Sequence, residues 1–170
     1  MKIRRLSESD APQFQALRLA ALVDKPEAFV KSHVEEKDLP LSEFAARLVE
    51  RPGHVVFGAF DDGDTLVGMA GLARETLIQT RHKGHIWGMY VAAAARGHGV
   101  ARELLQAVLA HARETPGIAK VTLSVDTANL AAIALYESLG FVVFAREADA
   151  VRLDGQSRDD LQMHLRFPTP

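Results

Sequence analysis

The chain contains no cysteine, which excludes disulfides, thiolate zinc sites and cysteine nucleophiles together. It also has no surplus of positive charge. Twenty lysines and arginines face 22 aspartates and glutamates, for a formal net charge of −2. A domain that grips duplex nucleic acid by neutralising phosphates carries a basic excess, so no nucleic acid partner is expected. Long apolar runs are missing as well. The longest, residues 89–95 and 130–136, hold seven residues each, against about 20 for a membrane-spanning helix. Residues 1–8 are charged and lack the apolar stretch of a signal peptide. The expectation is a soluble, cytoplasmic protein with no membrane partner. What is present is ordinary globular material: 48% of the 170 residues are hydrophobic and 25% charged. That is enough for one packed core, so residues 1–170 are expected to form a single domain.

Periodicity gives the elements. Residues 2–6 read as a short first strand, and Asp10 as the N-cap of a helix with Pro12 just inside it. Phe14, Leu17 and Ala21 follow at helical spacing. The mixed-charge stretch 31–38 reads as a long connection. A second helix, capped by Ser42, carries Phe44, Ala45, Leu48 and Val49 and stops before Pro52-Gly53. Strands are expected over 55–61, 65–75 and 85–91, with a tight turn at Asp62-Gly63-Asp64. Gly88 falls inside the third of these, where glycine marks a bulge or a close backbone approach.

The period then changes. Val100, Leu104, Leu105, Val108, Leu109 and Ala112 repeat as one helical face that ends at Pro116-Gly117. Residues 121–125 alternate as a strand. Asn129 opens a helix whose C′ residue is Gly140, and residues 141–147 and 160–167 close the fold around a turn at Asp154-Gly155. The order β-α-α-β-β-β-α-β-α-β-β predicts an α+β domain, a mixed sheet covered by helices.

Two segments carry chemistry. In the first, Arg96-Gly97-His98-Gly99-Val100-Ala101-Arg102, a strand has just ended and a helix begins at two glycines. Helix N-termini offer unpaired N–H groups and partial positive charge, and glycines let backbone close around an anion without a Cβ in the way. The P-loop spacing is absent, since no lysine follows either glycine. The dinucleotide fingerprint fails too, because Arg102 stands where its third glycine belongs. In the second segment, Asn129 and Tyr136 lie seven apart, about two helical turns, so both side chains project along one side of the helix. Taken alone, the pair reads first as an N-cap asparagine and a half-buried core tyrosine.

Together these segments resemble the GNAT superfamily of N-acetyltransferases. The family's Arg/Gln-x-x-Gly-x-Gly/Ala motif is met by Arg96, Gly99 and Ala101. Its Ala-x-x-Leu-Tyr-x-x-x-Gly-Phe motif, following an asparagine, is matched by Asn129 and by Ala132, Leu135, Tyr136, Gly140 and Phe141. The specific match covers residues 85–143. The proline that many relatives carry shortly after the strand is absent here, where Ala92 to Ala95 stand instead.

The resemblance implies a mostly antiparallel central sheet of about seven strands with about four helices, splayed between the fourth and fifth strands. It implies acetyl-CoA as cosubstrate, with no metal. The pyrophosphate would rest on the backbone of Arg96, Gly97, His98, Gly99, Val100, Ala101 and Arg102. The pantetheine would pair with Met89, Tyr90 and Val91 and bond to Asn129, leaving Tyr136 beside the sulfur as general acid. An amine acceptor then needs a base. His85 is the candidate, with Glu75 and an ordered-water relay as rivals. His82 and His85, three apart on a strand, face opposite sides and make no metal pair. Trp87 lines the acceptor cleft or packs in the core. The function implied is transfer of acetyl from acetyl-CoA to a primary amine of a small molecule, peptide or protein, without an acyl-enzyme; the alternative is a non-catalytic acyl-CoA sensor. Homodimers are common among relatives, and a homodimer is possible here.

Overall fold

A computed structural model describes residues 1–168. Its seven strands are β1 (Lys2–Arg5), β2 (His54–Phe60), β3 (Leu66–Arg74), β4 (Lys83–Val91), β5 (Lys120–Asp126), β6 (Val142–Leu153) and β7 (Gln156–Arg166). They form one sheet in the order β1-β2-β3-β4-β5-β7-β6. Every neighbouring pair is antiparallel except β4 and β5, which run parallel. The helices are α1 (Ala11–Asp24), α2 (His33–Glu36), α3 (Leu41–Ala46), α4 (Val100–Glu114) and α5 (Leu130–Ser138).

One apolar stripe explains the position of α4. Val100, Leu104, Leu105, Val108, Leu109 and Ala112 are all buried, packed with the strand residues Leu72, Ile86, Val121 and Leu123. Leu135 and Tyr136 of α5 join the same cluster. On the other face α1 and α3 bring Phe14 and Phe44 together at 6.3 Å between ring centroids, edge to face. Phe60, Met69 and Tyr90 complete that second cluster. At 25–30 cal/mol per Å² of apolar burial, each such phenylalanine contributes about 1.5–3 kcal/mol.

The end of α5 follows from its sequence. Gly140 takes φ +94°, its N–H donates to Glu137, and the N–H of Phe141 donates to Tyr136. This pair of bonds is a Schellman cap, with glycine where the left-handed residue is required.

Several local expectations are corrected. Asp10 takes the N-cap position of α1 but makes no side-chain cap bond; its carboxylate accepts from the Ser7 N–H at 2.8 Å and from both terminal nitrogens of Arg4. Ser42 lies inside α3, whose cap position is Pro40, and Leu48 and Val49 lie beyond its end. The stretch read as a connection contains α2, a fifth helix, whose first turn is closed by the Ser32 N–H donating to Glu35 at 2.7 Å. The serine and glutamate three apart were its sequence signal. The closing hairpin turns at Asp154-Gly155 as expected, but its strands are longer, because a bulge around Asp149 (φ +56°) breaks the alternation without ending the pairing.

Candidate active site

The site begins where two strands part. β4 pairs with β5 only at Lys83, Gly84 and His85, opposite Lys120, Val121 and Thr122. From Ile86 onward β4 keeps its β3 partner alone. A bulge falls in that pairing, with Met69 opposite Tyr90 and Gly71 opposite Trp87, and Gly88 sits in it at φ +65°. A bulge bends its strand, so the far half of β4 leans away from β5 and leaves backbone unpaired on that side. The opening is a cavity of about 730 Å³ lined by Trp87 to Val91, Ser124 to Asp126, Asn129, Ala132 and Tyr136. That volume lies in the range of small-molecule sites.

A smaller pocket of about 210 Å³ continues it at the start of α4, lined by Arg96, Gly97, Gly99, Val100, Ala101 and Arg102. Val91, Arg96, Ala101 and Leu135 border both. Gly97 and Gly99 each adopt φ +80°, and a Cβ built on either would stand in open space. The N–H groups from Gly97 to Arg102 find no backbone acceptor among the described residues. Unpaired donors at the N-terminus of a 15-residue helix, cleared of side chains, make a cradle for phosphate oxygens. Val100 is buried beneath the cradle, Ala101 is half-buried, and the exposed ring of His98 lies outside both cavities. The donors, the two clear glycines and the continuous cavity all fit a long ligand with a diphosphate at one end.

Arg96 is placed by partners distant in sequence. Its Nε donates to the Val91 carbonyl at 2.9 Å, and its Nη2 pairs with Asp24 at the end of α1. Tyr90 donates its hydroxyl to the same carboxylate at 3.0 Å. The Arg96 and Tyr90 hydrogen bonds hold the Asp24 carboxyl below the usual carboxylate range. Arg102 donates to Ser138 at 2.8 Å and so ties α4 to α5. Asn129 accepts from the Ala132 N–H at 3.2 Å as the cap of α5, which leaves its amide NH₂ to donate toward the cavity.

Tyr136 and His85 are among the titratable groups that line the opening. Tyr136 is buried against Phe141, with ring centroids 5.9 Å apart, and burial pushes its phenol up to about 12. Its hydroxyl makes no hydrogen bond among the described residues. His85 lines the cavity, and its Nδ1 stands 3.2 Å from the Thr122 hydroxyl. That hydroxyl donates its single hydrogen to the Gly84 carbonyl at 3.4 Å. The Thr122 hydroxyl thus bridges the His85 ring and the Gly84 carbonyl and steadies the imidazole at the cavity edge. Desolvation lowers the His85 pKa from 6.5, partly offset by the charge of Glu75.

Sequence reasoning weighed Trp87 as cleft lining or core but did not foresee Arg18, Arg47 or Asp160 on the cavity wall. Trp87 both lines the cavity and packs in the core, stacked on His54 at 6.2 Å. Gly71 makes room for it, since a Cβ there would come within 2.4 Å of the indole. Arg18, Glu36 and Arg47, brought from α1, α2 and the residue after α3, form a buried cluster on the same wall. Asp160 lines the cavity from β7, and its sealed Oδ1 has no partner among the described residues. Burial and the nearby Asp126 and Glu147 raise its pKa. None of these residues belongs to a local motif. Among the described residues no group of three or more His, Cys, Asp or Glu is placed to hold a metal.

Known proteins resemble this chain in sequence and in fold. Mycothiol acetyltransferase of Segniliparus rotundus is 34% identical over 98 residues, which are 57% of this chain and 37% of that protein. The enzyme of that name from Thermobispora bispora is 48% identical over 58 residues, 34% of this chain and 19% of its own. The chain thus spans well under half the length of these curated relatives. Solved structures match throughout. A ribosomal-protein-alanine N-acetyltransferase from Brucella melitensis superposes with a TM-score of 0.85 at 27% identity, covering 98% of this chain and 100% of that one. An acetyltransferase from Salmonella typhimurium, solved with its cofactor acetyl-CoA, gives 0.84 at 24% identity, over 100% of this chain and 97% of its own. Residues 14–141, most of the sequence, match the acetyltransferase (GNAT) family, and the chain belongs to that family.

Proposed function

We propose that this chain transfers an acetyl group from acetyl-CoA to a primary amine of a small molecule, peptide or protein, directly and without an acyl-enzyme. The observation that carries the proposal is one continuous opening. It has a phosphate cradle at one end, unpaired β4 backbone along its side, and His85 and Tyr136 on its walls. When bound, acetyl-CoA supplies a thioester, an acyl carbon already activated for attack.

The residues divide the remaining work. Gly97 to Arg102 would hold the diphosphate through backbone N–H groups, and Asn129 would donate to the arm beyond it. Met89 to Val91 would pair with that arm as a strand pairs with its neighbour. An alkylamine near pKa 10.4 is neutral in only about one molecule in 2,500 at pH 7. Its deprotonation costs about 4–5 kcal/mol. His85 would accept that proton, with Thr122 steadying the ring and desolvation favouring its neutral form. An unpaired β4 N–H offers a donor where negative charge develops on the carbonyl oxygen. A phenol near 12 keeps its proton at neutral pH and would donate a hydrogen bond to the departing sulfur, with transfer completed as charge gathers there.

All these groups come from one copy of the chain, so the reading needs no partner copy. A cytoplasmic location goes with it, because the reaction draws on a supply of acetyl-CoA. The test is a thermal-shift titration with acetyl-CoA, CoA, ATP and NAD, followed by thiol release with a panel of amines. Acetyl-CoA at 100 times its dissociation constant adds about 2.7 kcal/mol, or roughly 5–11 °C. Binding without thiol release for any amine would favour the sensor; no shift with either CoA species would remove both readings.

A further inference from the structure

The α1–α3 wall of the cavity carries charge that the proposed reaction does not use. Glu36 is fully buried and accepts from Arg18 Nε at 3.0 Å, Arg18 Nη2 at 3.1 Å and Arg47 Nη1 at 3.0 Å. Arg18 is itself only 7% exposed. Burial pushes the Glu36 carboxyl up, and the arginine hydrogen bonds outweigh it, so Glu36 stays ionised. Two guanidinium groups on one carboxylate leave one positive charge unmatched.

That charge has free donors. Arg18 Nη1 and the Nε and Nη2 of Arg47 make no hydrogen bond among the described residues. None of them is sealed from solvent either. Both side chains line the 730 Å³ cavity. Phe29, with the Arg18 guanidinium 4.7 Å above its ring, and Trp87 supply apolar surface beside them. Two other charges in the cavity are matched, Arg96 by Asp24 and Asp126 by Arg158. Lys25 and Lys31 add positive charge at the same mouth. Glu27, on the turn after α1, and Asp160 of β7 also line the cavity and suit an ammonium group.

We infer that Arg18 and Arg47, held by Glu36, form an anion subsite, and that the acceptor is an amine bearing a carboxylate, of the amino-acid class. The inference rests on the proposed acetyl transfer and names its substrate class. Guanidinium donors match a carboxylate geometrically, and a partly desolvated surplus charge attracts it more strongly than surface lysines do.

The experiment compares kcat/KM for L-leucine, L-phenylalanine and L-glutamate with that for each one's α-amide, under saturating acetyl-CoA. The amide has the more readily deprotonated amine, so intrinsic reactivity favours it. Wild type is expected to prefer the acid by about tenfold or more, the worth of one charge-assisted hydrogen bond. Arg47→Gln leaves a one-to-one Arg18–Glu36 pair, and the ratio should fall toward one; Arg47→Lys keeps the charge and should keep the preference. Should Arg47→Gln not fold, the wild-type ratio and Arg47→Lys still decide. Equal use of amides by wild type, or an undiminished preference in Arg47→Gln, overturns the subsite and leaves acetyl transfer standing. If acetyl-CoA binds and no amine of either class is acetylated, the transfer reading fails, and the subsite fails with it.

Discussion

His85 and Thr122 face each other across the last paired rung between β4 and β5, with the imidazole Nδ1 3.2 Å from the threonine hydroxyl. Beyond this rung the strands separate. This hydrogen-bonded pair therefore stands at the apex of the opening. His85→Gln should lower kcat about 10²-fold. Wild-type kcat/KM should fall as pH drops through an apparent pKa below 6.5, because desolvation favours the neutral ring and protonation removes the base. The variant should lack this acid limb. A pH–rate profile of both proteins checks it, and matching profiles would hand the role to Glu75 or to water.

Tyr136 gives a second, independent readout. Tyr136→Phe should cut kcat about 10²-fold or more while the acetyl-CoA dissociation constant changes little. Its phenol is raised from 10.0 to about 12 by burial. A raised folded-state pKa contributes stability that is complete below the unfolded value and lost as pH climbs through the folded one. Wild type should thus lose stability between about pH 10 and 12 in a portion that Tyr136→Phe lacks, measurable by urea unfolding.

Gly99 sits at φ +80° with open space where a Cβ would stand. Gly99→Ala puts that atom into the cradle and costs about 1–2 kcal/mol of backbone strain, or roughly 2–8 °C in Tm. The KM for acetyl-CoA should rise about tenfold or more as backbone donors are displaced, with kcat at saturation largely kept. A variant with the same Tm loss and an unchanged KM would show the glycine to be structural only.

Asp10 tests the fold away from the site. The Arg4 hydrogen bonds lower its pKa from 3.8 to about 2, against the penalty of burial. A depressed pKa contributes stability present above the unfolded value and lost as pH falls through the folded one. Asp10→Asn should cost about 2 kcal/mol at pH 7. The difference from wild type should vanish as pH approaches 2. Urea unfolding between those limits measures it.

Much of this was legible in the chain because it is local. The α4 stripe, the Gly140 cap, the Gly88 bulge and the glycine loop each lie within a few residues, where period and backbone conformation decide the outcome. Asn129 shows the limit of local reading: it is a helix cap, and its remaining donors still face the cavity. The roles of cap and ligand donor differ in atoms of one side chain, which a sequence does not separate.

The sequence by itself determined the order of the longer elements, the apolar faces and the motif residues, since these follow from spacing, whereas the four-residue α2 is too short to show a period. Tertiary structure alone decided which charges meet. Arg18 and Arg47 share Glu36, Arg96 and Tyr90 converge on Asp24, and His85 finds Thr122, across separations of 11 to 72 residues. A charged side chain in a sequence has many possible partners. Only packing fixes which one is near, and only burial decides whether that pairing shifts a pKa or leaves a charge for a ligand.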